Sequence, residues 1–322
     1  MIARRVLGRT DITVSAVALG CWPIAGMTSL DVNDQDSLAT LHAAWDGGIN
    51  FLDTAYCYGP HGESEKLIAR ALGSQRNELV IASKGGIHWD ANGGRQIDGR
   101  SATILRECEE SLRRLATDRI DLHYLHAPDP AIPIEESAAG FRRLLDQGKI
   151  RAAGVSNASP EQLRAFHAVC PISAFQPAYN MIMRQIESDT LPWCREQQVS
   201  VVVYWPLMKG LLAGKLAREH RFDPRDGRAK YPMFQSPEWE RNQDFVDALR
   251  EIARDIGRSV ADVVVNWTIH RPGITSALCG AKRADQIRES AAAMQWQLTA
   301  EQTARIDAAI QHRGDAVVRA AV

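Results

Sequence analysis

Short apolar runs rich in β-branched residues alternate along the chain with longer stretches of helical spacing. The runs are VALG (17–20), NFLDT (50–54), LVIASK (79–84), IDLHYLH (120–126), IRAAGVS (150–156), AFQPAY (174–179), SVVVYWP (200–206) and TSALCG (275–280). Most are apolar on both faces, as expected of parallel strands covered by helices. Between them, residues 101–116 set Ile104, Cys108, Leu112 and Leu115 on one stripe, with Arg106, Glu109, Glu110 and Arg113 mostly away from it. Ser159-Pro160-Glu161-Gln162 joins an N-cap serine, proline at the first helical position and a capping-box glutamine. Ser259 with Asp262 and Thr299 with Gln302 mark further helix starts, and Gly73, Gly148 and Gly257 stand where helices should stop.

Eight strand–helix units in 322 residues predict an α/β fold, a closed (β/α)8 TIM barrel forming one domain over 1–322. The alternative, a doubly wound sheet, wants a GxGxxG turn after its first strand. Gly20 and Gly26 do not make one, and there is no Walker motif. Residues 1–15 read as an N-terminal β-hairpin that plugs the barrel bottom, and Thr299 opens an extra C-terminal helix. The segment 209–258 is long: its first half is rich in glycine, arginine and proline, and its second half is a helix over 238–256. It reads as a lid or binding loop, and for 215–230 a solvent-exposed excursion is an equal alternative.

The hydrophobic content of 45% supplies a sizeable core. A net charge of -1 without a long basic block argues against a nucleic-acid partner. Cys21, Cys57, Cys108, Cys170, Cys194 and Cys279 form no CxxC pair, so reduced thiols and a cytoplasmic location are expected. No secretory leader is expected, because Arg9, Thr10, Asp11 and Thr13 break the first apolar run. No stretch has the apolar length to span a bilayer, so no membrane partner is expected either.

In a barrel of this kind the chemistry gathers at the C-terminal ends of the strands. Those positions hold Asp53, Lys84, His126, Ser156 with Asn157, Gln176 with Asn180, Tyr204 and Gly280. A lysine at a barrel mouth needs a partner for its ammonium, and Asp53 on the neighbouring strand is the natural one. The pair reads as functional, with a structural salt bridge as the bland alternative. His123 and His126 are three apart and point to opposite sides of their strand, so no metal site is expected, and His123 reads as a packed, hydrogen-bonded histidine.

These residues lie within GINFLDTAYCYGPHGESEKLIARAL (48–72), VIASK (80–84), DLHYLHAPD (121–129), IRAAGVSN (150–157), FQPAYN (175–180), VYWPLMKGLLAGK (203–215) and CGAKRADQIRES (279–290). In that order and spacing the chain resembles the aldo-keto reductase superfamily over nearly its whole length. Its nearest likeness is to the bacterial short-loop branch, related to the potassium-channel β-subunit-like and the aldose or pyridoxal dehydrogenase-like members. The resemblance implies that Tyr58 is the proton donor or acceptor and that Asp53, Lys84 and His126 complete a catalytic tetrad. It implies that Ser156, Asn157 and Gln176 hold a nicotinamide carboxamide and that Tyr204 stacks on its ring. Leu207, Lys209, Gly210 and Leu212 match the pyrophosphate loop, and Gly280, Lys282, Arg283, Gln286 and Glu289 the adenosine segment. Trp205 and Ser290 depart from the common pattern, the second where asparagine is usual.

The implied chemistry needs these groups. Hydride addition leaves charge on a carbonyl oxygen, and a phenol is a reluctant acid at its ordinary pKa near 10. The Lys84 ammonium is expected to lower it, Asp53 to keep that lysine charged, and His126 to donate to the oxyanion. Lys282 and Arg283 at a helix start favour NADP(H), with NAD(H) as the alternative. Trp22, Tyr58, Trp89, Trp205 and Phe234 are expected to line an aromatic substrate pocket, with His88 and Asp129 as polar candidates. The expected function is NADP(H)-dependent reduction of aldehydes or ketones, on a small-molecule substrate and compatible with a homo-oligomer. The alternatives are an NAD-linked dehydrogenase of a sugar or pyridoxal-type alcohol and, of another class, a nucleotide-sensing channel-accessory subunit.

Overall fold

The computed structural model of the protein describes residues 3–27 and 29–315; residues 1–2, 28 and 316–322 of the expected domain lie outside the described residues. The barrel strands are β1 (Val17–Gly20), β2 (Phe51–Asp53), β3 (Val80–Gly85), β4 (Leu122–Leu125), β5 (Ala153–Ser156), β6 (Ala174–Gln176), β7 (Ser200–Tyr204) and β8 (Ile274–Gly280). Each pairs in parallel with the next, and β8 returns to β1 to close the cylinder. The helices are α1 (Asp34–Asp46), α2 (Glu63–Leu72), α3 (Ser101–Arg114), α4 (Ile134–Asp146), α5 (Pro160–Val169), α6 (Thr190–Glu196), α7 (Glu238–Ile256), α8 (Val260–Ile269), α9 (Ala284–Ala292) and α10 (Ala300–Arg313).

Several strands are shorter than their apolar runs. Pro177 has no N–H to give a ladder, so β6 stops at Gln176. Trp205 takes a positive φ of 61° and Pro206 follows, which ends β7 at Tyr204. Ile120 and Ile150 are apolar but share only an isolated bridge. The capping signals hold: Ser159 and Gln162 exchange backbone–side-chain bonds at the start of α5, and Thr299 and Gln302 do so at α10. Gly257 closes α7 in the left-handed conformation.

Arg4–Val6 and Thr13–Ser15 pair antiparallel as the N-terminal hairpin. Leu7, Ile12 and Val14 of this hairpin join one buried cluster with Ala18, Phe51, Val80, Ala82, Leu122, Tyr124, Ala174, Val202 and Leu278 from the strands and Ala152 just before β5. The hairpin thus closes the barrel at the end opposite the strand termini. A second hairpin, Ile87–Trp89 with Arg95–Ile97, stands on the loop after β3 and is absent from the sequence reading. The alternation around NGG at 92–94 is the signal that could have found it. The stretch after β7 is ordered through short 3-10 turns at Met208–Ala213, Gly227–Lys230 and Pro232–Phe234 before α7. The buried Arg313 ties α10 to α7 through Glu238 and Asn242.

Inside the barrel there is no room at Gly154. A Cβ there would lie 2.9 Å from the Ala174 carbonyl oxygen and run into the Tyr124 ring, which is itself fully buried. Gly154→Ala is therefore expected to destabilise the fold by about 1–3 kcal/mol through overpacking. Urea denaturation would measure this, and an unchanged midpoint would contradict it.

Candidate functional site

Inward-facing positions recur every second residue. Phe51 points into the barrel core, and so does Val80–Ala82 in alternation, Leu122 with Tyr124, Ala174, and Val202. Two residues beyond each, at the upper end, stand Asp53, Lys84, His126, Gln176 and Tyr204. The same parity that fills the core with apolar side chains sets a polar ring on top of it.

Lys84 is 1% exposed, and all three of its ammonium protons have acceptors. It donates to Asp53 Oδ1 at 2.5 Å, to the Thr54 carbonyl at 2.9 Å and to Tyr58 Oη at 3.1 Å. The other oxygen of Asp53 accepts from Gln176 Nε2 at 2.7 Å. Burial pushes the Asp53 carboxyl up, against the opposing pull of Lys84 and Gln176. Tyr58 departs from expectation. Burial first, and then the Asp53 charge, hold its phenol well above the ordinary range rather than below it. Cys57 and Cys21 push the same way and Arg95 pulls the other, so desolvation of the phenolate wins.

Burial, with Lys84 and Arg95 beside it, pushes His126 well below its ordinary value, so the imidazole is neutral. Its Nδ1 lies 3.6 Å from Cys57 Sγ. Burial raises that thiol to about 12. A protonated thiol donating to Nδ1 leaves the ring proton on Nε2, where a ligand oxygen can accept it. Tyr58 meets His126 edge-on at 5.9 Å and Trp22 at 5.1 Å. A carbonyl between Tyr58 and His126 would find two neutral donors backed by one cation.

Beside this group Ser156, Asn157, Gln176 and Tyr204 form one network. Tyr204 Oη donates to Asn157 Oδ1 at 2.7 Å, Asn157 Nδ2 donates to the His126 carbonyl at 2.9 Å, and Ser156 Oγ donates to the Gln176 carbonyl at 2.8 Å. The hydroxyl and two amides offer the mixed donor and acceptor set that a carboxamide needs, next to the flat face of Tyr204, so these residues fit a nicotinamide. Asn157, Trp205 and Lys209 all have positive φ, a strain that gathers at the rim and has no sequence signature in non-glycine residues. Lys209 Nζ sits 4.5 Å from both the Trp205 and Tyr231 rings, and burial, then Arg228 and Arg95, lower it to about 8. Leu207 is half-buried, Leu212 is buried, and Arg228 reaches the Lys209 carbonyl beside Gly210.

On the far side, Lys282 Nζ donates to the Leu30 carbonyl, and Gln286 Oε1 accepts the backbone N–H of both Lys282 and Arg283. Arg283 is exposed near Asp285, and Glu289 pairs with Lys215. Ser290 is buried, and its hydroxyl turns back to the Gln286 carbonyl. Gly280 lies exposed beside Gly20 and Pro23.

The proposed pocket residues divide. Trp22 and Trp89 join Tyr58, Cys57, Ala55, Ile87, Ile97 and Ala127 in one apolar cluster, and Trp89 Nε1 donates to the Cys57 carbonyl. Trp205 stands over Tyr204. Asp129 is not among them: its carboxylate accepts from the Gly99 and Ala131 backbone and lines a separate cleft with His88, Asp98 and Arg100. His88 pairs there with the buried Glu107. Phe234 packs behind the loop on Phe222 and Trp239, and Asn180 braces the Trp205 carbonyl. Arg95 is a neighbour of the tetrad that sequence reasoning missed, because the hairpin that carries it is absent from that reading. Cys57 reads from the sequence as a neighbour of the tetrad, but its contact with His126 does not, since a loop carries no period to orient it.

His123 faces away from this group. It is packed, against Phe141 at 5.3 Å, but neither ring nitrogen has a hydrogen-bond partner among the described residues, contrary to expectation. Burial pushes its pKa down to about 3. The folded state excludes a proton that the unfolded chain accepts near 6.5. Its contribution is complete above about pH 6.5 and is lost as pH falls towards about 3, at about 1.4 kcal/mol per pH unit. His123→Phe should show a shallower loss of unfolding free energy between about pH 6.5 and 4.5 than the parent. Parallel curves from urea titrations would rule this out.

A family model described as the Aldo/keto reductase family matches residues 16–311. The chain is 37% identical over 306 residues to aldo-keto reductase YhdN of Bacillus subtilis (strain 168), covering 94% of this chain and 92% of that protein. Among solved structures it is similar to the glycerol dehydrogenase AKR11B4 from Gluconobacter oxydans, with a TM-score of 0.89, 37% identity and coverage of 98% and 97% of the two chains. The holo form of aldo-keto reductase AKR11C1 from Bacillus halodurans follows with a TM-score of 0.79, 27% identity and coverage of 99% and 98%. With the closed eight-stranded barrel and the polar ring at its upper end, these matches make the chain an oxidoreductase, a member of the aldo/keto reductase family.

Proposed function

We propose that the protein reduces aldehydes or ketones with NADPH, using Tyr58 as the general acid. The observation that carries this is the Lys84 ammonium bridging Asp53 and Tyr58 Oη within a buried site, with the neutral His126 ring beside the phenol. When bound, the dinucleotide supplies the hydride. Tyr58, held protonated at neutral pH, donates its proton to the carbonyl oxygen. Lys84 lies against the phenol oxygen and stabilises the charge that remains there as the proton leaves, while Asp53 holds Lys84 charged and in position. His126 Nε2–H orients the carbonyl and stabilises its developing charge. Ser156, Asn157 and Gln176 would hold the carboxamide, Tyr204 would back the ring, and the 207–212 turn with Lys209 would hold the pyrophosphate.

Tyr58→Phe keeps the ring packed on Trp22 and removes only the hydroxyl. Its kcat with 4-nitrobenzaldehyde is expected to drop by about 10²–10⁴-fold, the usual contribution of a positioned acid. Turnover at the parental rate would remove Tyr58 from this role.

The NADPH preference rests on Lys282 and Arg283 at the start of α9. Quenching of tryptophan fluorescence should report tighter binding of NADPH than NADH, and Arg283→Ala should lose mainly the NADPH advantage. Equal affinities in the parent, or equal weakening of both in the variant, would favour the second reading. That reading is an NAD-linked dehydrogenase of a polyol or sugar-type alcohol. It draws support from the relative named a glycerol dehydrogenase and from Ser290, which makes its hydrogen bond inside α9.

A further inference from the structure

We infer that the substrate carries a carboxylate a few bonds from its carbonyl, and that Arg95 on the hairpin after β3 receives it. This deepens the reductase reading and rests on it. Arg95 opposes Trp89 in the register of that hairpin, and its guanidinium lies 5.4 Å over the Trp22 ring. Trp22 in turn meets Tyr58 at 5.1 Å. One aromatic ring therefore separates this cation from the phenol.

Three features give Arg95 a ligand-binding rather than a structural part. It is exposed, and its guanidinium has, among the described residues, no carboxylate or hydrogen-bond partner. Of the other cations near the tetrad, Lys84 is engaged with Asp53, Thr54 and Tyr58 and Arg228 with Asp226, while Lys209, unlike the exposed Arg95, is half-buried between the Trp205 and Tyr231 rings. The field of Arg95 also reaches the tetrad, since it opposes the upward shift of Tyr58 and adds to the lowering of His126 and Lys209. An exposed cation without a carboxylate partner beside an apolar wall attracts anions. The planar fork of a guanidinium matches a carboxylate with two parallel hydrogen bonds, and a single cation suits a monoanion better than a phosphate dianion. Trp22, Trp89 and Ile97 offer the apolar wall for the carbons between the two ends.

The test compares 4-carboxybenzaldehyde with its neutral methyl ester, methyl 4-formylbenzoate, under NADPH saturation. The full chain should turn over the carboxylate with a kcat/KM about tenfold higher, carried by KM, and the advantage should shrink as sodium chloride is raised. Arg95→Gln should remove most of that ratio, and Arg95→Lys should keep part of it. An equal or reversed ratio in the parent, or an Arg95→Gln variant in which both substrates fall alike, would overturn the assignment. Binding is measured separately, by tryptophan quenching with 4-carboxybenzyl alcohol and its methyl ester on the cofactor complex. If neither aldehyde is turned over, the reductase reading fails. The binding ratio and its response to Arg95→Gln then still decide the carboxylate site: a preference for the acid that Arg95→Gln abolishes supports it, and equal binding rejects it.

Discussion

The ion pair between Lys84 and Asp53 is the contact on which the rest of the site depends. Both groups are buried, so each carries a desolvation cost that the other is the main group to offset, with help from the Thr54 carbonyl and Gln176. Removing either partner would leave a lone charge in the barrel mouth, at a cost of about 3–5 kcal/mol. Their attraction does more than cancel that cost. It leaves the third ammonium proton directed at Tyr58 and the second carboxylate oxygen directed at Gln176. Through Gln176 and Ser156 the pair is tied to the side proposed to hold the carboxamide, and through Tyr58 to the side proposed to meet the substrate. A single buried salt bridge thus coordinates two halves of the site that come from distant parts of the chain.

The electrostatics of the tetrad follow from burial more than from charge. Tyr58 is held protonated, His126 neutral and Cys57 protonated, each with desolvation as the leading cause. A site so arranged offers neutral hydrogen-bond donors, with the Lys84–Asp53 pair behind them and the field of Arg95 reaching them from outside. That suits a reaction whose charge appears only on the way to the product, because donors set in advance need no rearrangement when it does.

Much of this was legible in the chain because strands obey a period of two. The apolar runs located all eight barrel strands, and the strand ends located Asp53, Lys84, His126, Gln176 and Tyr204 before any contact was known. Tyr58 was different. It lies in the loop past β2, and its assignment came from resemblance to a family, not from position. Loops also explain the misplacements. Asp129 follows β4 closely and Phe234 lies in the long stretch after β7, yet one caps backbone amides in a neighbouring cleft and the other packs on Phe222 and Trp239. The raised phenol of Tyr58 and the contact of Cys57 with His126 depend on burial depth and side-chain direction, which composition does not encode.

The alternation of β3 also decides where the chain tolerates a change of length. Val80, Ala82 and Lys84 share one face, while Ile81 belongs to the layer under the helices. One residue inserted between Val80 and Lys84 would turn the lysine out among apolar side chains and bring an apolar neighbour into the ring. The same insertion in the hairpin beyond Gly85, or in the segment after Tyr204, leaves every ring member where it is and only reshapes the wall above it. Insertions and deletions are thus barred from the strands and admitted by the loops, so that descendants of one barrel can exchange substrates by lengthening or trimming what lies above a reaction centre that keeps its spacing.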